Sequence, residues 1–209
     1  MLKLVPNILT LGRLVLTVFL LIMLLYSPNA QNRTSFLDTA FIIFLIAGLT
    51  DIVDGPIARH YGIATKFGRI MDPLADKILV CGAFISFAWI GEPTLFNLPP
   101  TTLKIIHWLI AGIIIAREAY VTILRHIAEA RGIDFSAIPL GKIKMFLHSF
   151  AIGAIVIKMA HLQEVTWGYW FTSVTLVIML IVTIISGVTY HIRWRKFSRK
   201  KEKTGGLKI

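Results

Sequence analysis

Asp51, Asp54, Asp72 and Asp76 account for four of the chain's 11 acidic residues and crowd between residues 51 and 76. Asp51 and Asp54 are three apart, and Asp72 and Asp76 are four apart. On a helix either spacing puts both side chains on one face. Carboxylates gathered this densely repel one another, and apolar surroundings make each charge costly to desolvate. Hard divalent cations such as Mg²⁺ relieve both problems, because they take carboxylate oxygens as ligands. Two such ions about 4 Å apart clamp a phosphoryl group between its attacking and leaving oxygens. The intervening residues suit that chemistry. Gly55 and Ala58 leave room for a flat, bulky group to approach the backbone, and Arg59 is able to grip a phosphate through two hydrogen bonds. Two other readings fit the same spacing. One is a buried ion-pair network with Arg59, Lys66, Arg69 and Lys77 as partners; the other is an Asp-lined path for cations.

Such side chains need rigid elements to hold them, and the hydropathy pattern supplies helices. The 209 residues are 56% hydrophobic yet carry a net charge of +11. A soluble domain this apolar would lack polar surface, whereas a membrane protein segregates its charges into loops and helix ends. Stretches 8–26, 36–52, 74–90, 103–124, 145–161 and 165–191 are each near the roughly 20 residues that a span requires. The pattern predicts an all-α polytopic membrane protein with six transmembrane helices. The first span carries Arg13 and no small-residue cleavage site, so it reads as a permanent helix and not as a signal peptide. Alternate connections hold 19 of the 22 Lys and Arg residues, which predicts that both termini are cytoplasmic.

Residues 1–192 read as one membrane domain and 193–209 as a basic cytoplasmic tail. Its position beside a span suits a headgroup anchor, and no nucleic-acid partner is expected. The single Cys81 excludes an intrachain disulfide and reads as helix packing. The six histidines show no metal-ligand spacing and read mostly as interfacial. Gly112 and Ala116 form a small-x₃-small pattern suited to close helix packing. The first Asp pair should close the second helix and the second pair open the third. A short connection predicts those helices as antiparallel neighbours with converging carboxylates. Pro56, which would crowd the carbonyl of Ile52, predicts a kink between the first two aspartates.

The pattern D-x₂-D-G-x₂-A-R-x₈-G-x₃-D-x₃-D from Asp51 to Asp76 resembles the signature of the CDP-alcohol phosphatidyltransferases at all its fixed positions. The six-span layout extends the resemblance over nearly the whole chain. The resemblance implies that Asp51, Asp54, Asp72 and Asp76 hold two divalent cations, Mg²⁺ or Mn²⁺, on the pyrophosphate of CDP-diacylglycerol. It implies that Gly55, Ala58, Arg59, Thr65 and Gly68 lie along the nucleotide and its phosphates, and that Asp76 doubles as general base for an acceptor hydroxyl. Asn7 and Thr10 would also lie near the CDP group, with helix N-capping as their other reading. Members of the family are often homodimers, and the implied site faces the cytoplasm at the inner membrane.

Three segments resemble the phosphatidylglycerophosphate synthases, whose acceptor is sn-glycerol 3-phosphate. They are Pro6-Asn7-Ile-Leu-Thr10-Leu-Gly-Arg13, Asp72-Pro73-Leu-Ala-Asp76-Lys77, and Ala116-Arg117-Glu118 with Arg125 and then Leu140-Gly141-Lys142-Ile-Lys144. Arg117 and Arg125 are eight apart and so share roughly one helical face. With Lys142 and Lys144 they form a candidate pocket for the acceptor phosphate, and Glu118 is placed to orient a neighbouring base. The same cations also read as loop charges snorkelling to headgroups. Met145 stands where those synthases carry a small hydroxyl residue, which leaves inositol phosphate, serine or phosphatidylglycerol open as acceptors.

Overall fold

In hydrocarbon every backbone N–H and C=O must be satisfied within the protein, which leaves helices as the form these apolar runs adopt. The computed structural model describes residues 5–60, 66–96, 98–131 and 139–205, and the side chains of 10–50, 71–96, 98–131 and 140–197. It contains α1 (Val5–Tyr26), α2 (Arg33–His60), α3 (Lys66–Ile90), α4 (Pro100–Ala130), α5 (Pro139–His161) and α6 (Thr166–Gly205), with a 3₁₀ turn at Ser27–Asn29. All six helices are long and apolar enough to cross a membrane, as expected, and no strand occurs among the described residues. Each helix overruns its apolar stretch at the charged end. Hydropathy reports where lipid ends, and a helix continues past that point whenever its next residues tolerate the α conformation. Thus α2 carries Asp51 and Asp54 in its last ten residues, α3 carries Asp72 and Asp76 in its opening turns, and α6 runs on through the basic tail.

The helices pack in the cyclic order α1, α2, α5, α6, α4, α3, and α5 also reaches α3 across the ring. This corrects the expected pairing: among the described residues α2 and α3 are not extensive partners, and α1 lies against both. A short connection constrains only where two helices end. Which faces meet is decided by side chains, and the faces of α2 and α3 each fit α1. Ala40, Ala47, Ala83, Ala88, Ala111 and Ala151 are fully buried between helices. Small residues let backbones approach closely, which matters in lipid, where apolar contact between helices has no competing water. Phe19, Trp89, Phe146 and Val177 instead face outward.

The two ends of the ring differ in chemistry. One end is closed by Arg33 donating to Glu92 at 2.6 Å, by the His161–Asp38 pair at 2.7 Å, and by Lys158, whose Nζ donates to Thr94 at 3.3 Å. The other end carries Thr10, Asp72, Asp76, Arg117, Glu118 and Lys144. Lys158 is buried in α5 with its ammonium over the Tyr169 ring at 4.4 Å. Two readings of the sequence need correction here. His107 and His148 are buried, whereas His126, His161 and His191 are exposed. Gly112 and Ala116 face outward, with open space at Gly112, so among the described residues this strip packs against no helix. Cys81 is half-buried and packs against the core as expected.

Candidate active site

The acidic half of the site is built where α1 meets α3. Asp72 and Asp76 lie one turn apart on α3, both half-buried. α3 stays helical through Pro73, although the ring there supplies no N–H. Thr10, buried in the second turn of α1, donates its hydroxyl to Asp72 Oδ1 at 2.8 Å. That position, inside the helix, excludes the N-capping alternative for Thr10, whose hydroxyl here orients a carboxylate. Arg13, buried one turn further along the same face of α1, brings a cation to the same region.

Asp51, Asp54, Gly55, Ala58 and Arg59 lie on the helical final ten residues of α2, which continue past Pro56. Their side chains fall outside the described residues, as does that of Asn7 in the first turn of α1. Thr65 lies outside the described residues altogether, and Gly68 sits in the first turn of α3. Among the described residues no group of three or more His, Cys, Asp or Glu could hold a metal ion. The two predicted ligands that are described, Asp72 and Asp76, offer hard carboxylate oxygens one turn apart, the donor chemistry that suits Mg²⁺ or Mn²⁺.

The basic half is assembled by α4, α5 and α6. Glu118 is buried on α4, and its Oε1 accepts from Arg117 at 2.9 Å and from Lys144 of α5. Arg117 also donates to Ser186 Oγ of α6 at 2.5 Å, and its side chain passes Gly187, where a Cβ would come within 3.4 Å of it. Arg125 donates to the Tyr190 hydroxyl at 2.8 Å. The expectation that Arg117 and Arg125 share a face is met: both guanidinium groups lie over the Tyr190 ring, at 5.7 and 5.4 Å from its centre. Lys144 is buried, its carbonyl in hydrogen-bond contact with His148 Nδ1 at 2.9 Å, while Lys142 is exposed and stands apart. Met145 is exposed as well, so its bulk does not enter the cluster.

The two halves face each other. Asp76 is near enough for its charge to act on Lys144, and Cys81, one turn beyond Asp76 and Lys77, sits in the fields of Glu118 and Lys144 as well. Among the described residues Asp76 thus lies within electrostatic reach of Lys144, which Glu118 joins to Arg117. Among them a separate cavity of about 410 Å³ opens at the opposite end, beside Trp89, Leu95, Leu103 and Lys104, and no carboxylate lines it. Ser186 and Tyr190 were not singled out from the sequence. Their signal is a stripe of polar side chains, Thr183, Ser186 and Tyr190, at helical spacing in an otherwise apolar span.

A family model for CDP-alcohol phosphatidyltransferase matches residues 3–193. A probable phosphatidylglycerophosphate synthase of Mycobacterium tuberculosis (strain ATCC 25618 / H37Rv) is 35% identical over 190 residues, covering 90% of this chain and 79% of that protein. The CDP-diacylglycerol–glycerol-3-phosphate 3-phosphatidyltransferase of Bacillus subtilis (strain 168) is 33% identical over 206 residues, covering 94% of this chain and 95% of its own. The protein of the same name from Rickettsia typhi is 31% identical over 188 residues, covering 90% and 95%. With the aspartate signature, the six-helix membrane fold and these relatives in agreement, the chain belongs to the CDP-alcohol phosphatidyltransferase family.

Proposed function

We propose that this enzyme moves the phosphatidyl group of CDP-diacylglycerol onto sn-glycerol 3-phosphate, releasing CMP, at the cytoplasmic face of an inner membrane. The supporting observation is the cation cluster of half-buried Arg117 and Arg125 with buried Lys144, the last within electrostatic reach of the Asp76 carboxylate. A phosphate monoester brings about two negative charges to such a place. Glu118 offsets only one of the three positive charges, and a neutral alcohol would add nothing against the rest. Membership in a transferase family leaves the reading of the Asp cluster as a cation path without support.

In this reading Asp76 takes the proton of the acceptor hydroxyl, and that oxygen attacks the phosphorus that bears diacylglycerol. The bond to the CMP oxygen breaks, and CMP keeps the electron pair. A base within hydrogen-bond reach contributes about 10²- to 10⁴-fold. Arg117, Arg125 and Lys144 hold the acceptor phosphate, and Glu118 fixes the first and last of these. Asn7, Gly55, Ala58, Arg59, Thr65 and Gly68 line the nucleotide. Asp51, Asp54, Asp72 and Asp76 hold two Mg²⁺ or Mn²⁺ ions, which when bound neutralise pyrophosphate charge. Thr10 supports Asp72 in that set. Lys142 is left to the headgroup region, and a homodimer belongs to the same reading, with the outward strip of Gly112 and Ala116 as a close-approach surface.

The test is CMP release by the purified protein in detergent with CDP-diacylglycerol and a panel of labelled alcohols. Release is expected with glycerol 3-phosphate and only with a divalent cation. Turnover with serine, inositol phosphate or phosphatidylglycerol in its place would overturn the acceptor, and metal-independent turnover would overturn the cation pair. Asp76→Asn should abolish transfer while CDP-diacylglycerol still binds; turnover within about threefold of the parent removes Asp76 as base.

A further inference from the structure

The two arginines of the basic cluster are like charges on one helix, and something must hold them together. Their guanidinium carbons flank one aromatic ring, that of Tyr190, and so lie within about 11 Å of each other. The ring is fully buried, and its hydroxyl accepts from Arg125 at 2.8 Å. The hydroxyl also lies against the start of α5, where a Cβ on Gly141 would come within 3.3 Å of it. Tyr190 therefore touches the arginine-bearing face of α4 from α6 and abuts the segment that leads into Lys144. Both arginines keep a buried Nε without a hydrogen-bond partner. A buried donor left unmade is unfavourable, so two of them at one ring mark a place suited to an anion with several acceptor oxygens.

We propose that Tyr190 is a positioning residue: by stacking under Arg117 and Arg125 and accepting from Arg125, it sets their spacing and thereby the enzyme's affinity for a phosphomonoester acceptor. This rests on the acceptor assignment made above. The ring face attracts both cations, which offsets their mutual repulsion. The hydroxyl fixes the rotation of one guanidinium, and Ser186 does the same for the other. Neither α6 residue supplies a charge. Their effect on the acceptor passes through the arginines.

The experiment compares Tyr190→Phe, which keeps the ring and removes the hydroxyl, with Tyr190→Leu, which removes both. KM for glycerol 3-phosphate, KM for CDP-diacylglycerol and kcat are measured on each protein in detergent, together with the melting-temperature shift that glycerol 3-phosphate alone produces. Tyr190→Phe should raise the acceptor KM about 5-fold, and Tyr190→Leu about 30-fold or more, with donor KM and kcat within about twofold. The ligand-induced shift should shrink in the same order. Equal changes in both KM values, or a fall in kcat alone, would mean that Tyr190 only holds the fold, and the proposal falls. If Tyr190→Leu does not fold, Tyr190→Phe decides: an unchanged acceptor KM overturns the proposal. Should the parent protein refuse glycerol 3-phosphate and use another alcohol, the acceptor assignment itself fails, which is a different result from a parent that uses it and variants that do not respond.

Discussion

Glu118 accepts from Arg117 and Lys144 through one oxygen, in a place where all three side chains are largely withdrawn from water. Removing one partner of a buried pair leaves an uncompensated charge and costs about 3–5 kcal/mol; here two cations would be left facing each other. Glu118→Ala should therefore lower the melting temperature sharply and abolish activity. Glu118→Gln keeps the shape and an acceptor oxygen, so it should fold and lose mainly acceptor affinity. Thermal unfolding in detergent checks both, and a Glu118→Ala protein as stable as the parent would show that the carboxylate carries little of the load. The sequence indicated Arg117, Arg125 and Lys144 by type and placement, because cations at helix ends beside an acidic cluster are uncommon enough to notice. It put Lys142 in the same set, since residues two apart near a helix start cannot be told apart until the helix phase is known. Tyr190 and Ser186 were hidden for a different reason. They carry no charge, and their meaning comes from side chains on another helix, 69 and 65 positions away in the chain for Ser186 and Tyr190.

At the scale of elements, α1 does the work that a direct contact between α2 and α3 was expected to do. It packs on both and extends Thr10 to Asp72. Its approach to α3 depends on Gly82, where a Cβ would fall 2.5 Å from Leu21 Cδ1 and 3.3 Å from Cγ. A methyl group there displaces only the flexible end of a leucine, so Gly82→Ala should be tolerated. Gly82→Leu should wedge α1 away from α3, destabilise by about 1–3 kcal/mol, and reduce turnover by moving Thr10 off Asp72. Melting curves and CMP release measured together test this; a stable, fully active Gly82→Leu protein would mean that the two helices can part without consequence. The existence of all six helices was legible, because unbroken apolar runs of span length have few other uses. Their charged extensions were not, since hydropathy falls where the chain leaves lipid whether or not the helix goes on. The ring order was also out of reach. Alternating up-and-down helices are compatible with many circular orders, and the choice lies in which small residues, such as Ala83 and Ala151, face which neighbours.

The molecule as a whole is polar in the sense of having two unlike ends, and its sidedness decides whether the proposed reaction has substrates. The Asp and Arg end should face the compartment that holds nucleotides and phosphorylated metabolites, with the end closed by Arg33 and Glu92 on the far side. The bias of 19 among 22 basic residues predicts that arrangement from charge alone. The basic tail strengthens it: Trp194 and Phe197 pack against the end of α4, and Arg131 lies over Trp194 at 5.3 Å, so the charged end of α6 is tied to the same side as Arg125. Because Cys81 is the only cysteine, a Cys81→Ser background lets single thiols report sidedness. Gln31 lies in the exposed turn before α2, and Lys196 is exposed near the end of α6. In intact cells a membrane-impermeant maleimide should label Gln31→Cys at once and Lys196→Cys only after permeabilisation. The reverse pattern would put the carboxylates and arginines outside, away from CMP and glycerol 3-phosphate pools. No residue-level rescue would then save the transfer reaction, because the site would be intact and without anything to transfer to.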